Sequence, residues 1–439
     1  MRRCRPPATR APSFPLALSL ILGLSACASL PVVDTDIALA ARKSNDPAHT
    51  LDLMREEETR ITHTPFVAGN DVALLTDGGQ TYAALTAAIT GARQRIDMES
   101  YEFDPIEGAR FGDLLLAKRA EGVEVNLIFD AFGSLDTPDS LIERLRAGGI
   151  RVVEYHPLGV FSGLTLDINR RDHRKLLVVD NAVAITGGIN INRVYDIRRH
   201  NRHGKPISPD ELAWRDTDVR ITGPAAEQFE GIFAQTWADQ HGPPLPPPPP
   251  PPTAHQGSAV VQAIDGTPTQ HRALIYRTLL VMISLARTSI HLTTGFFAPT
   301  PDLDHALEAA ARRGVDVEIV VPAHSSSATV IAAGRAHYED LLEAGVKIFE
   351  RRRVVLHAKT AVIDHAWATV GSANLDWRSV IYNNEISAVV LDHAFAQRME
   401  TLFAEDIAAS QAIDPQTWAH RSLLERIKEE SARTIEFLL

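Results

Sequence analysis

Two stretches of this sequence carry the same reactive side chains at the same spacing. His173-Arg-Lys175, with Asp180 five residues on, is followed by Gly187-Gly188-Ile-Asn190. His357-Ala-Lys359, with Asp364 five residues on, is followed by Gly371-Ser372-Ala-Asn374. At this chain's composition the pattern H-x-K-x4-D should occur about 0.02 times by chance, so two copies with a common G-[GS]-x-N suffix form a repeat. A His and a Lys two residues apart on an extended segment project from one face. Two such faces brought together across a pseudo-twofold axis give a pocket with two imidazoles, two ammonium groups and the amides of Asn190 and Asn374. That set suits a phosphodiester. One neutral imidazole attacks phosphorus while the other, protonated, gives its proton to the leaving alcohol. The two Lys and two Asn then neutralise the non-bridging oxygens.

The mechanism calls for no metal or other cofactor, because the ammonium groups do the work of a cation and would repel one. It does call for a carboxylate behind each imidazole. Asp216, in Trp214-Arg-Asp-Thr, and Glu385, in Tyr382-Asn-Asn-Glu, stand at equivalent places in the repeat and are assigned that part, with Asp218 the rival in the first half. Asp180 and Asp364 complete the motif and are counted with the catalytic set. Their strand parity, opposite to the His and Lys, points instead to fixing a hairpin turn. The small residues Gly188 and Ser372 are expected to let backbone approach the anionic substrate.

The elements that position these residues also repeat. Segments 96–103 (IDMESYEF), 122–130 (GVEVNLIFD) and 147–155 (AGGIRVVEY) answer 290–297 (IHLTTGFF), 314–322 (GVDVEIVVP) and 344–351 (AGVKIFER). Each trio predicts three strands. Between them, 111–121 and 303–313 have apolar residues at three- and four-residue spacing and predict helices that leave through Gly122 and Gly314. Alternation of helix and strand gives an α/β fold of two similar α/β/α halves with one shared active site. The halves are predicted at 71–242 and 259–410, joined by a proline-rich linker at 243–258 whose PPLPPPPPPP run reads as a stiff spacer or exposed loop. Residues 27–70 are expected to pack around the first half, and 411–439 to form a helical tail. Phe296 and Phe297 are expected in the core. Arg170-Arg171, Arg351-Arg352-Arg353 and the cluster Arg198, Arg199, His200, Arg202 and His203 are candidate phosphate or surface groups. Phe161, Leu164 and Leu166 are candidates to dip into lipid.

The chain has 439 residues, with 55 acids against 44 bases, 37 of them Arg and only 7 Lys. A net charge of -11 argues against a protein held to nucleic acid by a general positive field. Cys4 and Cys27 are the only cysteines, so the body has neither a disulfide framework nor a thiolate nucleophile. Four Arg precede an apolar run at 14–26 that ends Leu24-Ser25-Ala26-Cys27. This has the form of a signal peptide of residues 1–26 with Cys27 as the lipidated first mature residue; cleavage after Ala28 is the alternative. Loss of residues 1–26 removes four Arg and no acid and takes the net charge to -15.

The paired motif resembles the phospholipase D superfamily. The second half is most similar to bacterial cardiolipin synthases, through 338–348 (YEDLLEAGVKI), His357-Ala-Lys-Thr, 368–376 (ATVGSANLD) and Arg378-Ser379. The first half resembles them through 129–134 (FDAFGS), Gly187-Gly-Ile-Asn and Trp214-Arg-Asp-Thr. The resemblance covers roughly residues 71–410. It implies that His173 is the nucleophile and His357 the acid. It also implies transfer of a phosphatidyl group from one phosphatidylglycerol to the glycerol hydroxyl of another, with release of glycerol. Hydrolysis by a periplasmic phospholipase D is the alternative. The partners implied are phospholipid and, through the lipid anchor, a membrane surface of the bacterial envelope, inner or outer, on the periplasmic side. Both motifs in one chain imply a monomer.

Overall fold

A computed structural model describes residues 50–157, 169–195, 212–268, 273–325 and 327–438, together with Leu30, Val33, Asp36 and Ile37. Cys27, the 1–26 segment, the 161–166 apolar residues and the 198–203 basic cluster lie outside the described residues.

The first half runs β1 (Val67–Leu75), α1 (Gly78–Gly91), β2 (Arg95–Ser100), α2 (Glu107–Ala120), β3 (Glu124–Asp130), α3 (Asp139–Ala147) and β4 (Arg151–Tyr155). It continues through the hairpin β5 (Lys175–Val179) and β6 (Val183–Gly187), a short β7 (Trp214–Arg215), β8 (Asp218–Thr222) and α4 (Ala226–Asp239). The second half repeats the order with β9 (Ala259–Asp265), α5 (Leu274–Leu285), β10 (Ser289–Thr293), a short β11 (Phe297–Ala298), α6 (Pro301–Arg312) and β12 (Asp316–Pro322). After α7 (Ala328–Ala336), α8 (Tyr338–Ala344), β13 (Lys347–Arg351) and a short β14 (Val355–Leu356) come the hairpin β15 (Thr360–Ile363) and β16 (Trp367–Gly371), then β17 (Leu375–Asp376), α9 (Trp377–Ile381), β18 (Ile386–Leu391) and α10 (His393–Ala408).

Fifteen strands form one continuous sheet in the order β19-β13-β12-β10-β15-β16-β18-β9-β1-β8-β6-β5-β2-β3-β4, where β19 is Ser410–Ala412. Leaving β19 aside, the order reads identically from both ends, and the axis passes between the antiparallel pair β1 and β9. Within each half, the three predicted strands pair in parallel. The crossover helices cover them with buried Leu115, Leu145, Leu307 and Leu341. Gly122 and Gly314 end equivalent helices at φ of 95° and 89°, a conformation an L side chain resists.

Two expectations need correction. Helix Thr50–Thr62 packs on the second half, not the first: Met54 and Ile61 enter its core, and Glu58 accepts a hydrogen bond from Trp367 Nε1 at 2.6 Å. The proline run is extended and mostly exposed, and it is tied to the first half. Its carbonyls accept hydrogen bonds from Trp237, Arg95 and Asn181 of the first half, because proline has no N–H but keeps a full acceptor. The tail is a strand edge followed by two helices, Pro415–Ala419 and Leu423–Arg433, instead of one. Phe297 is in the core as expected. Among the described residues, no helix is long and apolar enough to cross a membrane.

Candidate active site

The two motif histidines sit just ahead of β5 and β15, at the ends of equivalent hairpins. Each is pinned by the other half. His173 N donates to Asn384 O at 2.9 Å, and His357 N donates to Arg215 O at 2.8 Å. The next residue along each partner segment supplies a carboxylate to the same imidazole. Glu385 lies 3.1 Å from His173 Nδ1, and Asp216 Oδ2 lies 2.7 Å from His357 Nδ1. The sequence placed an acid behind each His; the crossing is a finding, and its consequence is that neither half can assemble its own pair. Asp218 loses to Asp216 because its Oδ1 is taken by Ile189 N.

With Nδ1–H directed at a carboxylate, each imidazole keeps Nε2 for reaction. The carboxylates are themselves held. Glu385 receives hydrogen bonds from Ser372 Oγ, from Ser379 Oγ at 2.9 Å and from Asn383 Nδ2 at 3.4 Å. Asp216 receives Thr217 N at 2.8 Å. Gly188 and Ser372, expected beside the substrate, lie against these acids: Ser372 donates to Glu385 and Gly188 backs onto Asp216. A Cβ at Gly188 would stand 2.1 Å from Asp216 Oδ1. The small residues make room for the orienting carboxylates.

Lys175 Nζ donates to His173 O at 2.6 Å; Lys359 Nζ donates to His357 O and also lies 2.8 Å from His357 Nδ1, so each lysine is drawn over its own motif turn. Asn190 spans Glu102 N and Tyr195 Oη, each at 3.4 Å. Asn374 Oδ1 is buried without a hydrogen bond among the described residues. His173, His357, Lys175, Lys359, Asn190 and Asn374 are thus brought together at the junction of the halves.

Asp180 and Asp364 are not, and counting them with the catalytic set is corrected. Each starts a turn in which two consecutive residues have positive φ: 52° and 51° at Asp180-Asn181, 51° and 54° at Asp364-His365. Five residues of strand, about 16 Å, separate them from the Lys. Asp180 accepts from the backbone N–H of Arg93, Gln94 and Arg95, and Asp364 from those of Arg287, Thr288 and Ser289. Both tie the hairpin turn to the loop that precedes β2 or β10, as their parity implied.

Burial sets the protonation states. Desolvation, opposed by Glu385 and reinforced by Lys175, lowers His173 to about 4; desolvation together with Lys359 lowers His357 to about 3. Despite desolvation, Lys359 and His357 hold Asp216 below the usual carboxylate range, and His173 does the same for Glu385. Desolvation lowers Lys175 to about 8. Desolvation also lowers Lys359, against the pull of Asp216 and Glu385. The empty site at neutral pH therefore holds two neutral imidazoles and two carboxylates beside the two lysines. A phosphodiester anion arriving between the ammonium groups is what favours an imidazolium there.

Consider a p-nitrophenyl phosphodiester, whose leaving group needs no acid. The burst then requires only a neutral His173 and a charged Lys175. Its rate should fall below pH about 4 and above pH about 8. Stopped-flow release of p-nitrophenol across pH measures both limbs, and Lys175→Arg should move the upper one higher.

Tyr101 and Tyr195 were not expected at the site, and Phe296, expected in the core, is half-buried beside it. The Tyr101 ring lies 5.0 Å from Lys175 Nζ and 5.0 Å from the His173 ring centroid. Tyr195 Oη is 3.2 Å from His357 Nδ1, and Trp214 and Phe296 flank that ring at 4.8 and 6.0 Å. Tyr101 and Phe296 lie within the aligned segments 96–103 and 290–297, just past the ends of β2 and β10; nothing local marked Tyr195. Of the basic groups, Arg171 is buried beside Asp130 at 3.7 Å, and Arg351 pairs with Asp406 at 3.3 Å. Arg170, Arg352 and Arg353 are exposed.

The family model described as "Cardiolipin synthase, PLD-like domain" matches residues 85–201 and 279–407. The chain is 33% identical over 387 residues to a cardiolipin synthase of Geobacillus thermodenitrificans, covering 87% of this chain and 74% of that one. It is 33% identical over 385 residues to cardiolipin synthase A of Pseudomonas aeruginosa, covering 87% and 76%. Among solved structures, the phosphatidylserine synthase of Haemophilus influenzae superposes with a TM-score of 0.64 at 12% identity, covering 88% of this chain and all of that one. The polyphosphate kinase of Porphyromonas gingivalis gives 0.52 at 12%, covering 83% and 53%; both are likenesses of fold.

Proposed function

The chain belongs to the cardiolipin synthase family of PLD-like proteins, and from that premise we propose that it is a phosphatidyltransferase joining two phosphatidylglycerols with release of glycerol. The observation that carries the chemistry is the crossed pair, His173 with Glu385 and His357 with Asp216, between two buried ammonium groups.

In the first step His173 Nε2 attacks phosphorus. The N–P bond forms as the bond to the glycerol oxygen breaks, and His357 Nε2 gives its proton to that oxygen. Lys175 and Lys359 balance the charge that grows on the non-bridging oxygens, and Asn190 and Asn374 lie beside them. In the second step a hydroxyl of another phosphatidylglycerol attacks the phosphohistidine, His357 takes the proton, and the N–P bond opens. Glu385 and Asp216 fix the tautomers and offset imidazolium charge at each stage. Water attacking instead would give phosphatidic acid, so the same residues serve the hydrolase.

The test is incubation of the purified chain with phosphatidylglycerol vesicles and mass analysis of the lipids. Cardiolipin with one glycerol released per cardiolipin formed is the expected result. Phosphatidic acid as the only new lipid would make the protein a hydrolase.

The arginine-flanked apolar run ending in Leu24-Ser25-Ala26-Cys27 supports export and lipid anchoring at Cys27 on the periplasmic side of an envelope membrane. Fractionation of Cys27→Ser tests this: release from the membrane is expected, and unchanged sedimentation contradicts it. One chain supplying both motifs supports action as a monomer.

A further inference from the structure

The two halves differ chemically where they meet the substrate. In the repeat, 96–103 aligns with 290–297, which makes Glu102 and Phe296 counterparts. Phe296 presents an apolar ring beside His357. Glu102 sets a carboxylate among the cations of the site. Burial raises its pKa, opposed only in part by Asn192 and the charges of Lys175 and Lys359.

Its surroundings are specific. Oε2 accepts a hydrogen bond from Asn192 Nδ2 at 2.7 Å, and the backbone N–H donates to Asn190 Oδ1 at 3.4 Å. Oε1 takes no hydrogen bond among the described residues, and the residue keeps partial exposure. Asn192 also accepts, through its carbonyl, from Tyr195 N, the residue whose hydroxyl lies against His357. The carboxylate therefore hangs from the same turn that touches the acid–base histidine.

Neither the fold nor the phosphate explains this group. The fold accepts an aromatic ring at the equivalent position of the other half. A carboxylate repels the non-bridging oxygens of a phosphodiester, which Lys175 and Lys359 attract. A hydrogen-bond acceptor beside the phosphate suits a different part of the substrate, the hydroxyls of a polyol. We propose that Glu102, positioned by Asn192, accepts a hydrogen bond from a second hydroxyl of the polyol whose first hydroxyl attacks the phosphohistidine. Glycerol units carry such a pair; water and simple monohydric alcohols do not. Glu102 then selects the acceptor: the attacking oxygen forms the O–P bond, the His173 N–P bond opens, the proton passes to His357, and the neighbouring hydroxyl is held by Glu102.

This inference rests on the transferase reading, and the experiment separates the two. The purified chain is given phosphatidyl-p-nitrophenol in mixed micelles with equal concentrations of glycerol and 1-propanol, and the phosphatidylglycerol and phosphatidylpropanol formed are measured as a ratio. Because both products come from one phosphohistidine, the ratio does not depend on how much of a variant is folded. The wild type should favour glycerol, and Glu102→Leu should lower that preference by about 10- to 100-fold, since a site built to bind a hydroxyl discriminates strongly against its absence. Glu102→Gln keeps an acceptor without the charge and should lose several-fold, as neutral hydrogen bonds are weaker than charged ones. A ratio unchanged within twofold in Glu102→Leu, with the wild type making both esters, would overturn the role of Glu102 alone. Phosphatidic acid as the only wild-type product at every alcohol concentration would overturn the transferase reading, and this inference with it.

Discussion

His173→Asn should lower phosphatidyl transfer by about five to six orders of magnitude, the scale of loss when a covalent nucleophile is removed. Asn is close in size and can still donate toward Glu385, so the folded state should persist; what disappears is Nε2. The loss should be the same with a p-nitrophenyl ester as with phosphatidylglycerol, because an easily expelled leaving group does not replace an attacking atom. His357→Asn should behave differently. With phosphatidylglycerol it should lose a comparable amount, since no group protonates the glycerol oxygen. With a p-nitrophenyl ester it should release one equivalent of p-nitrophenol and stop, because the first step no longer needs an acid while the second still needs a base. Stoichiometric burst measurements on the two variants check this. A normal second turnover in His357→Asn would contradict the division of labour.

The second large effect belongs to the crossed carboxylates. Asp216→Asn should cost about three to four orders of magnitude, because an amide facing Nδ1 can donate and so favours the wrong tautomer. Glu385→Gln should cost a similar amount, but in the other step. Glu385 lies behind His173, so its loss should slow the p-nitrophenol burst. Asp216 lies behind His357, so its loss should leave the burst nearer normal and slow discharge. The geometry makes this test direct. Asp216 belongs to the half that carries His173, yet it orients the histidine of the other half. If Asp216→Asn instead slowed the burst and Glu385→Gln the discharge, the roles of the two histidines would be reversed.

Much of this was legible in the sequence because the repeat doubles every signal. The strands at 96–103 and 290–297 are each short, but they agree with each other. The helix exits at Gly122 and Gly314 mark equivalent points and take the same positive φ. The parity of Asp180 and Asp364 placed both in hairpin turns. Their shared motif with His and Lys nevertheless drew them into the catalytic set, and only the backbone N–H groups around their carboxylates resolved the conflict. The crossing of Asp216 to His357 was not legible, since sequence order places each acid with its own half. Nor was the docking of Thr50–Thr62 on the second half. That depends on Trp367 and Arg277, more than two hundred residues away, meeting Glu58 and Asp36. Gly188 and Ser372 were recognised as positions needing small residues, but what fills the space is a carboxylate of the protein itself.

In the proposed reaction a covalent phosphohistidine forms at His173 and is discharged across the junction of the two halves. The most direct measurement is peptide mapping by mass spectrometry of His357→Asn after incubation with phosphatidyl-p-nitrophenol and quenching in neutral denaturant. One phosphatidyl adduct is expected, on the peptide that contains His173, and none in the His173→Asn, His357→Asn double variant. An adduct on another residue, or product formation by His173→Asn, would contradict it.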